Sequence, residues 1–173
     1  MPSASASLNG VNLGAVGALV ENVRSNPAAA RTQWRSHVRW TGGFKSESTS
    51  RNQVAVPSDE PDALGGDDTA PNPVEQLLAA LGNCLAVGYA ANATVAGIRI
   101  DSLELELQGD IDLHTFLGLG NGNAGFEAIE VKVRLESDAA PEALAQLHSR
   151  VVRTSPVGHT LGRAVPVRID LAR

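Results

Sequence analysis

The sequence predicts an α+β fold, on two observations. Apolar residues alternate with polar ones around 34–40, 98–113, 129–135 and 165–171, the period of strands with one buried face. They recur at three- and four-residue spacing over 13–23, 77–95 and 144–152, the period of helices. With 173 residues, 43% of them hydrophobic and 19% charged, the chain has material for one core plus an appended segment.

The elements follow in order. Met1 to Ser7 are small and polar and are expected to fray. Leu13, Val16, Leu19, Val20 and Val23 make a helix of a few turns that begins at Asn12 and stops at Asn26-Pro27. Trp34, Ser36, Val38 and Trp40 share one face of a half-buried strand, and Thr41-Gly42-Gly43 reads as a hairpin turn into a second and a third short strand within 44–56. From Pro57 to Pro71, three prolines, Gly65-Gly66 and the acids Asp59, Glu60, Asp62, Asp67 and Asp68 predict a solvated loop. Asn72 as cap, Pro73 at the first helical position and Glu75 as the capping-box acid then start a long helix. Its stripe is Leu77, Leu81, Cys84, Leu85, Gly88, Ala91 and Val95, and Gly97 ends it.

Ile98 to Leu113 alternates as a long strand bent at Gly109, and Ile129, Val131, Val133 and Leu135 mark its partner. Between them lies a Gly- and Asn-rich loop with an apolar tip at Phe116, Leu117 and Leu119. Asp138 is read as the cap of a helix carrying Pro141, Leu144, Leu147, Val151 and Val152, which Ser155-Pro156 ends. A turn around His159 to Leu161 precedes a last strand through Val165, Val167, Ile169 and Leu171.

The bulk numbers exclude several functions. A net charge of -5 repels phosphate backbones and anionic lipid, and 3% aromatic content leaves little for stacking on bases, so neither nucleic acid nor membrane is an expected partner. Apolar stretches are read as interrupted by Gly, Asn or charge before they reach the length of a membrane span, and no signal-peptide pattern opens the chain, which predicts a soluble cytoplasmic protein. One cysteine makes no internal disulfide, and no Cys/His spacing matches a zinc site, so neither metal nor cofactor is expected. The acidic loop lacks EF-hand spacing, and Asn92-Ala93-Thr94 lies within a helix and is a chance glycosylation pattern.

What remains for chemistry is Cys84 on the long helix, with the Ser155-Pro156-Val157 corner as a second part. In that stripe a cysteine is as readily a small buried hydrophobe as a nucleophile. Residues 72–84, Asn-Pro-Val-Glu-Gln-Leu-Leu-Ala-Ala-Leu-Gly-Asn-Cys, resemble the helix signature of the osmotically inducible protein C (OsmC) and organic hydroperoxide resistance family. Trp40-Thr41-Gly42-Gly43 resembles that family's N-terminal hairpin, the segment from Gly97 to Asp112 its acidic strand, and Ser155-Pro156-Val157 and Val165-Pro166-Val167 its closing motifs. The likeness runs from about Arg39 to Leu171; residues 1–31 are accordingly assigned to an N-terminal tail and helix extension and 32–173 to an OsmC-like domain.

The resemblance implies two long central helices packed on curved antiparallel sheets in an intertwined homodimer. It also implies a cysteine, here Cys84, that attacks an organic hydroperoxide, a second cysteine that resolves the sulfenic acid, and an arginine and a glutamate that hold the thiolate. This chain departs at each helper. Ser155 stands at the resolving position, Phe44 with Lys45 beside it at the arginine, and Val74 with Glu75 beside it at the glutamate.

A free thiol is only a few per cent ionised at neutral pH, so a nucleophilic cysteine needs a donor or a cation. Three turns into its helix, Cys84 is beyond the dipole's reach, and help must come from another segment. Arg39, Lys45, Arg51 and Arg163 are the basic candidates, with Arg39 and Arg51 preferred; Glu75 has a capping role to weigh against a catalytic one, and the Ser155 hydroxyl is a candidate donor. With no second thiol, turnover would need an external thiol reductant. A Ser155–His159 hydrolytic pair lacks the Gly-x-Ser-x-Gly elbow. Two functions stay open: a one-cysteine reductase of organic hydroperoxides, and a non-catalytic protein binding an apolar small molecule, with Phe116, Leu117 and Leu119 lining a pocket at the dimer interface.

Overall fold

The computed structural model describes residues 7–172; the fraying expected of the N-terminal tail falls, for residues 1–6, outside them. The described residues form two compact units, Asn12–Leu78 and 7–11 with 79–172.

In the Asn12–Leu78 unit, helix α1 (Leu13–Ser25) starts where Asn12 accepts the Ala15 N–H at 3.0 Å and stops before Pro27. Strands β1 (His37–Gly42), β2 (Lys45–Thr49) and β3 (Val56–Ser58) pair antiparallel in that order. Gly42 (φ 119°) and Gly43 (φ 56°) turn the hairpin, a backbone path that Gly takes without steric cost. The expected half-buried strand is corrected in two respects: it begins at His37, and Val38 and Trp40 are exposed. The register explains this. Val38 faces Ser48 and Trp40 faces Ser46, so neither has an apolar cross-strand neighbour.

The acidic loop is not wholly solvated. Asp59 is 1% exposed; its Oδ1 accepts the Glu60 N–H (2.8 Å), and its Oδ2 accepts the Thr69 hydroxyl (2.7 Å) and N–H (3.1 Å), which closes the loop on itself. The Thr69 hydroxyl holds the Asp59 carboxyl below its ordinary 3.8, with the two backbone N–H groups adding to it against the opposing effect of burial. A carboxyl lowered on folding adds stability that is complete above the unfolded value and is lost as pH falls through the folded one. Asp59→Asn is therefore expected to lower the urea midpoint at neutral pH and to flatten the loss of stability below pH 3.8. Denaturation curves at several acid pH values check it; an unchanged acid slope would contradict the assignment.

Helix α2 (Pro73–Val95) opens on the expected capping box: Asn72 Oδ1 accepts the Glu75 N–H and Glu75 Oε2 accepts the Asn72 N–H, both at 2.9 Å. It closes as a Schellman turn, with Gly97 at φ 72° and the Ile98 N–H donating to Ala93 O at 2.8 Å. The buried row is Leu81, Leu85, Tyr89 and Ala93 at four-residue spacing, whereas Cys84, Gly88 and Ala91 are half-buried and Leu77 and Val95 exposed. By length and composition α2 is able to cross a membrane, contrary to the sequence reading that every apolar stretch breaks sooner. Its apolar row instead forms the core with Ile98, Leu147 and Val151. Each Leu buried there contributes roughly 1.5–3 kcal/mol.

Strands β4 (Ser102–Gln108) and β5 (Glu130–Glu136) pair antiparallel, with Leu103 opposite Leu135, Leu105 opposite Val133 and Leu107 opposite Val131. These six side chains pack on the core, and α2 lies so close that a Cβ on Gly82 would sit 2.9 Å from Leu107 Cδ1. The long strand expected to reach Leu113 ends at Gln108. Asp112 instead caps the one-turn helix α3 (Leu113–Phe116) by accepting the His114 N–H. Helix α4 (Pro141–Thr154) has Ala140, not Asp138, at its N-cap, because Pro141 fixes the first helical position. The expected turn near His159 is a further helix, α5 (Pro156–Leu161).

The final strand is absent: Val165–Leu171 is irregular and pairs with no described strand, although its alternation is that of one. At the other end Asn9 acts as an added strand residue. Its Nδ2 donates to Ile98 O (2.9 Å) and Thr94 Oγ1 (3.0 Å), and its Oδ1 accepts the Ile100 N–H (2.9 Å).

Candidate functional site

Two side chains 71 positions apart meet in the unit that holds most of the core. Cys84 lies midway along α2, half-buried, and Ser155, 4% exposed, is the single residue between α4 and α5; Cys84 Sγ and Ser155 Oγ are 3.3 Å apart. Pro156 forces the chain to break helix at Ser155, and the Ser155 Oγ then caps α5 by accepting the Gly158 N–H at 3.1 Å. That contact leaves the hydroxyl proton available. A thiolate has no proton to give, so Ser155 is the donor once Cys84 ionises.

Three of the other expected helpers, Glu75, Arg39 and Lys45, have partners of their own. Glu75 closes the capping box, nine residues before Cys84 on the same helix and therefore about 13 Å away along its axis. Arg39 pairs with Glu47 across the hairpin at 3.1 Å, and Lys45 with Asp67 at 2.5 Å. Arg51 stands in the turn after β2 at φ 56°. These four belong to Asn12–Leu78, whereas Cys84, Ser155 and Arg163 belong to the other unit.

Ser155 also forms part of the wall of a cleft of about 510 Å³, to which Cys84 does not contribute. Its walls are Leu81, Leu85 and Tyr89 of α2, Val131 and Val133 of β5, and Val152 of α4, with His148, His159 and Arg163 as polar lining. Phe116, Leu117 and Leu119 are not among the residues that line it. The sequence reading missed Tyr89 and His148. Tyr89 is 1% exposed, and its hydroxyl is hydrogen-bonded to His148 Nδ1. The available signal was a lone Tyr four residues past Leu85 on the core row. Burial raises the Tyr89 pKa above its ordinary 10.0, which keeps the phenol neutral. The Ser–His pair does not form: His159 Nε2 donates to Arg153 O at 2.7 Å, and the Ser155 hydroxyl is turned to Cys84.

The sequence from residue 65 to 170 matches the model of the OsmC-like protein family, more than half of the chain. The chain belongs to that family. Solved structures agree on the fold. The OsmC-like protein of Mycoplasma pneumoniae superposes with a TM-score of 0.65 at 17% identity, over 76% of this chain and 88% of that one. An organic hydroperoxide resistance protein OsmC from Legionella pneumophila gives 0.55 at 15% identity, over 76% and 91%. One from Elizabethkingia anophelis gives 0.55 at 20% identity, over 75% and 89%. No curated protein matches the sequence. The α+β class and OsmC-like fold read from the sequence hold, with α2 and α4 as the two helices packed on antiparallel sheet.

Proposed function

We propose that this OsmC-like protein reduces organic hydroperoxides with a single cysteine. The observation that supports this most directly is a half-buried sulfur with a buried hydroxyl 3.3 Å away, itself anchored by the Gly158 N–H. Two of the proteins with this fold are described as organic hydroperoxide resistance proteins.

In the proposed cycle the Cys84 thiolate attacks the distal oxygen of ROOH. The S–O bond forms as the O–O bond breaks, RO⁻ takes a proton and leaves as ROH, and Cys84 is left as the sulfenic acid. A small external thiol displaces water from that sulfur and gives a mixed disulfide. A second thiol attacks the mixed disulfide, releases the oxidised reductant and restores Cys84. Ser155 is the donor that stabilises the thiolate. The reducing thiols of the cytoplasm fit this role.

The working form is proposed to be a homodimer. Val38 and Trp40 on β1, and Val167, Ile169 and Leu171 beyond α5, are exposed, and the last three alternate as a strand does when an edge is offered to it.

Ser155 carries the test. A hydrogen bond to a charged group is worth about 1.5–3 kcal/mol, so Ser155→Ala is expected to slow oxidation of Cys84 by cumene hydroperoxide about tenfold or more. Ser155→Thr, which keeps both the hydroxyl and a capping side chain, restores most of the rate. The readout is the rate of sulfenic acid formation trapped with dimedone. Oxidation of the wild type no faster than that of free cysteine would reject the proposal.

A further inference from the structure

The cleft that Ser155 helps to line has a chemistry of its own. In a chain of net charge -5, no Asp or Glu lines it. Its polar residues are Tyr89, Ser155, His148 and His159, with one fixed cation, Arg163, which is exposed at the rim. The remaining wall is aliphatic, from Leu81, Leu85, Val131 and Val133. About 510 Å³ is the size of a small-molecule site, and an apolar wall with a few convergent polar groups is the usual composition of one.

We propose that this cleft binds an apolar monocarboxylate, with its hydrocarbon against Leu81, Leu85, Val131 and Val133 and its carboxylate toward Arg163. Charge complementarity selects this occupant. A cation would meet Arg163 with no acid to balance it, and a fully apolar ligand would make no use of the guanidinium. The geometry fixes the two histidines. His159 Nε2 is tied to Arg153 O at 2.7 Å and His148 Nδ1 to Tyr89, so each ring presents a set edge and little ordering is needed on binding. The neutral phenol of Tyr89 keeps the floor free of negative charge. Cys84 is not part of the wall, and Ser155 is the one residue the cleft shares with the thiol site, so carboxylate binding is read without any peroxide present.

Titration calorimetry of the full chain with octanoate and with octan-1-ol tests it. Octanoate is expected to bind at least about tenfold more tightly, the effect of one added charge-assisted contact. Arg163→Gln is expected to erase that preference while leaving octan-1-ol binding in place. Val152→Asp, at an exposed position of α4 on the cleft wall, is expected to abolish octanoate binding by repulsion without disturbing the fold. Three results would overturn the proposal: no octanoate binding at millimolar ligand, as when a second copy of the chain or the C-terminal segment fills the cleft; equal binding of acid and alcohol; or a preference that survives Arg163→Gln.

Discussion

Cys84→Ser is expected to remove hydroperoxide reduction completely, not to slow it. The chain has one cysteine, so no second thiol substitutes for it. A serine hydroxyl is not appreciably ionised near neutral pH and cannot carry the oxygen as a sulfenic acid does. The substitution is nearly isosteric and keeps a hydrogen bond to Ser155, 3.3 Å away in the wild type, so the fold is expected to stay within about 1 kcal/mol of the original. Consumption of cumene hydroperoxide in the presence of dithiothreitol, with urea denaturation as control, measures both. Residual turnover in a stably folded Cys84→Ser protein would place the chemistry outside this sulfur.

Local physics was legible in the sequence wherever a residue acts on its own backbone. Asn72, Pro73 and Glu75 announced the start of α2, and the structure has both bonds of the box at 2.9 Å. Gly97 announced its end, and adopts the left-handed conformation that only Gly takes cheaply. Asp138 misled because a good capping residue three positions before a proline competes with that proline, and Pro141 decided the start. Periodicity alone failed where a strand needs a neighbour. Residues 165–171 alternate, yet alternation describes a face and not the edge it pairs with. Trp40 failed for a related reason, since its cross-strand neighbour is Ser46.

The site was legible only in part. Cys84 and Ser155 were singled out through their family motifs, and their approach across 71 positions is a tertiary fact that neither segment's pattern contains. Tyr89 and His148 were invisible for the same reason, 59 positions apart with no motif to join them. Charge was a poor guide: Arg39 and Lys45 were chosen for their cations, and each is paired with a carboxylate of its own unit.

The contact between Cys84 and Ser155 predicts what a second sulfur would do. Ser155→Cys puts a thiol within van der Waals range of Cys84, from a residue that Pro156 and the start of α5 hold in place. One equivalent of organic hydroperoxide should then produce an intrachain disulfide: the new thiol attacks the Cys84 sulfenic acid, the S–S bond forms, and water leaves. Mass spectrometry under non-reducing conditions would show the loss of two hydrogens and a peptide joining α2 to the α4–α5 corner. Dimedone labelling would fall, because an internal thiol outcompetes the trap. Turnover should shift toward dithiol reductants, which open a disulfide by forming a ring. Losing the Ser155 cap on Gly158 costs about 0.5–2 kcal/mol, small enough to leave the fold intact. A folded Ser155→Cys protein that oxidises at Cys84 and stays dimedone-reactive would mean that the two side chains cannot close the remaining gap, and that Ser155 is held at hydrogen-bonding distance and no nearer.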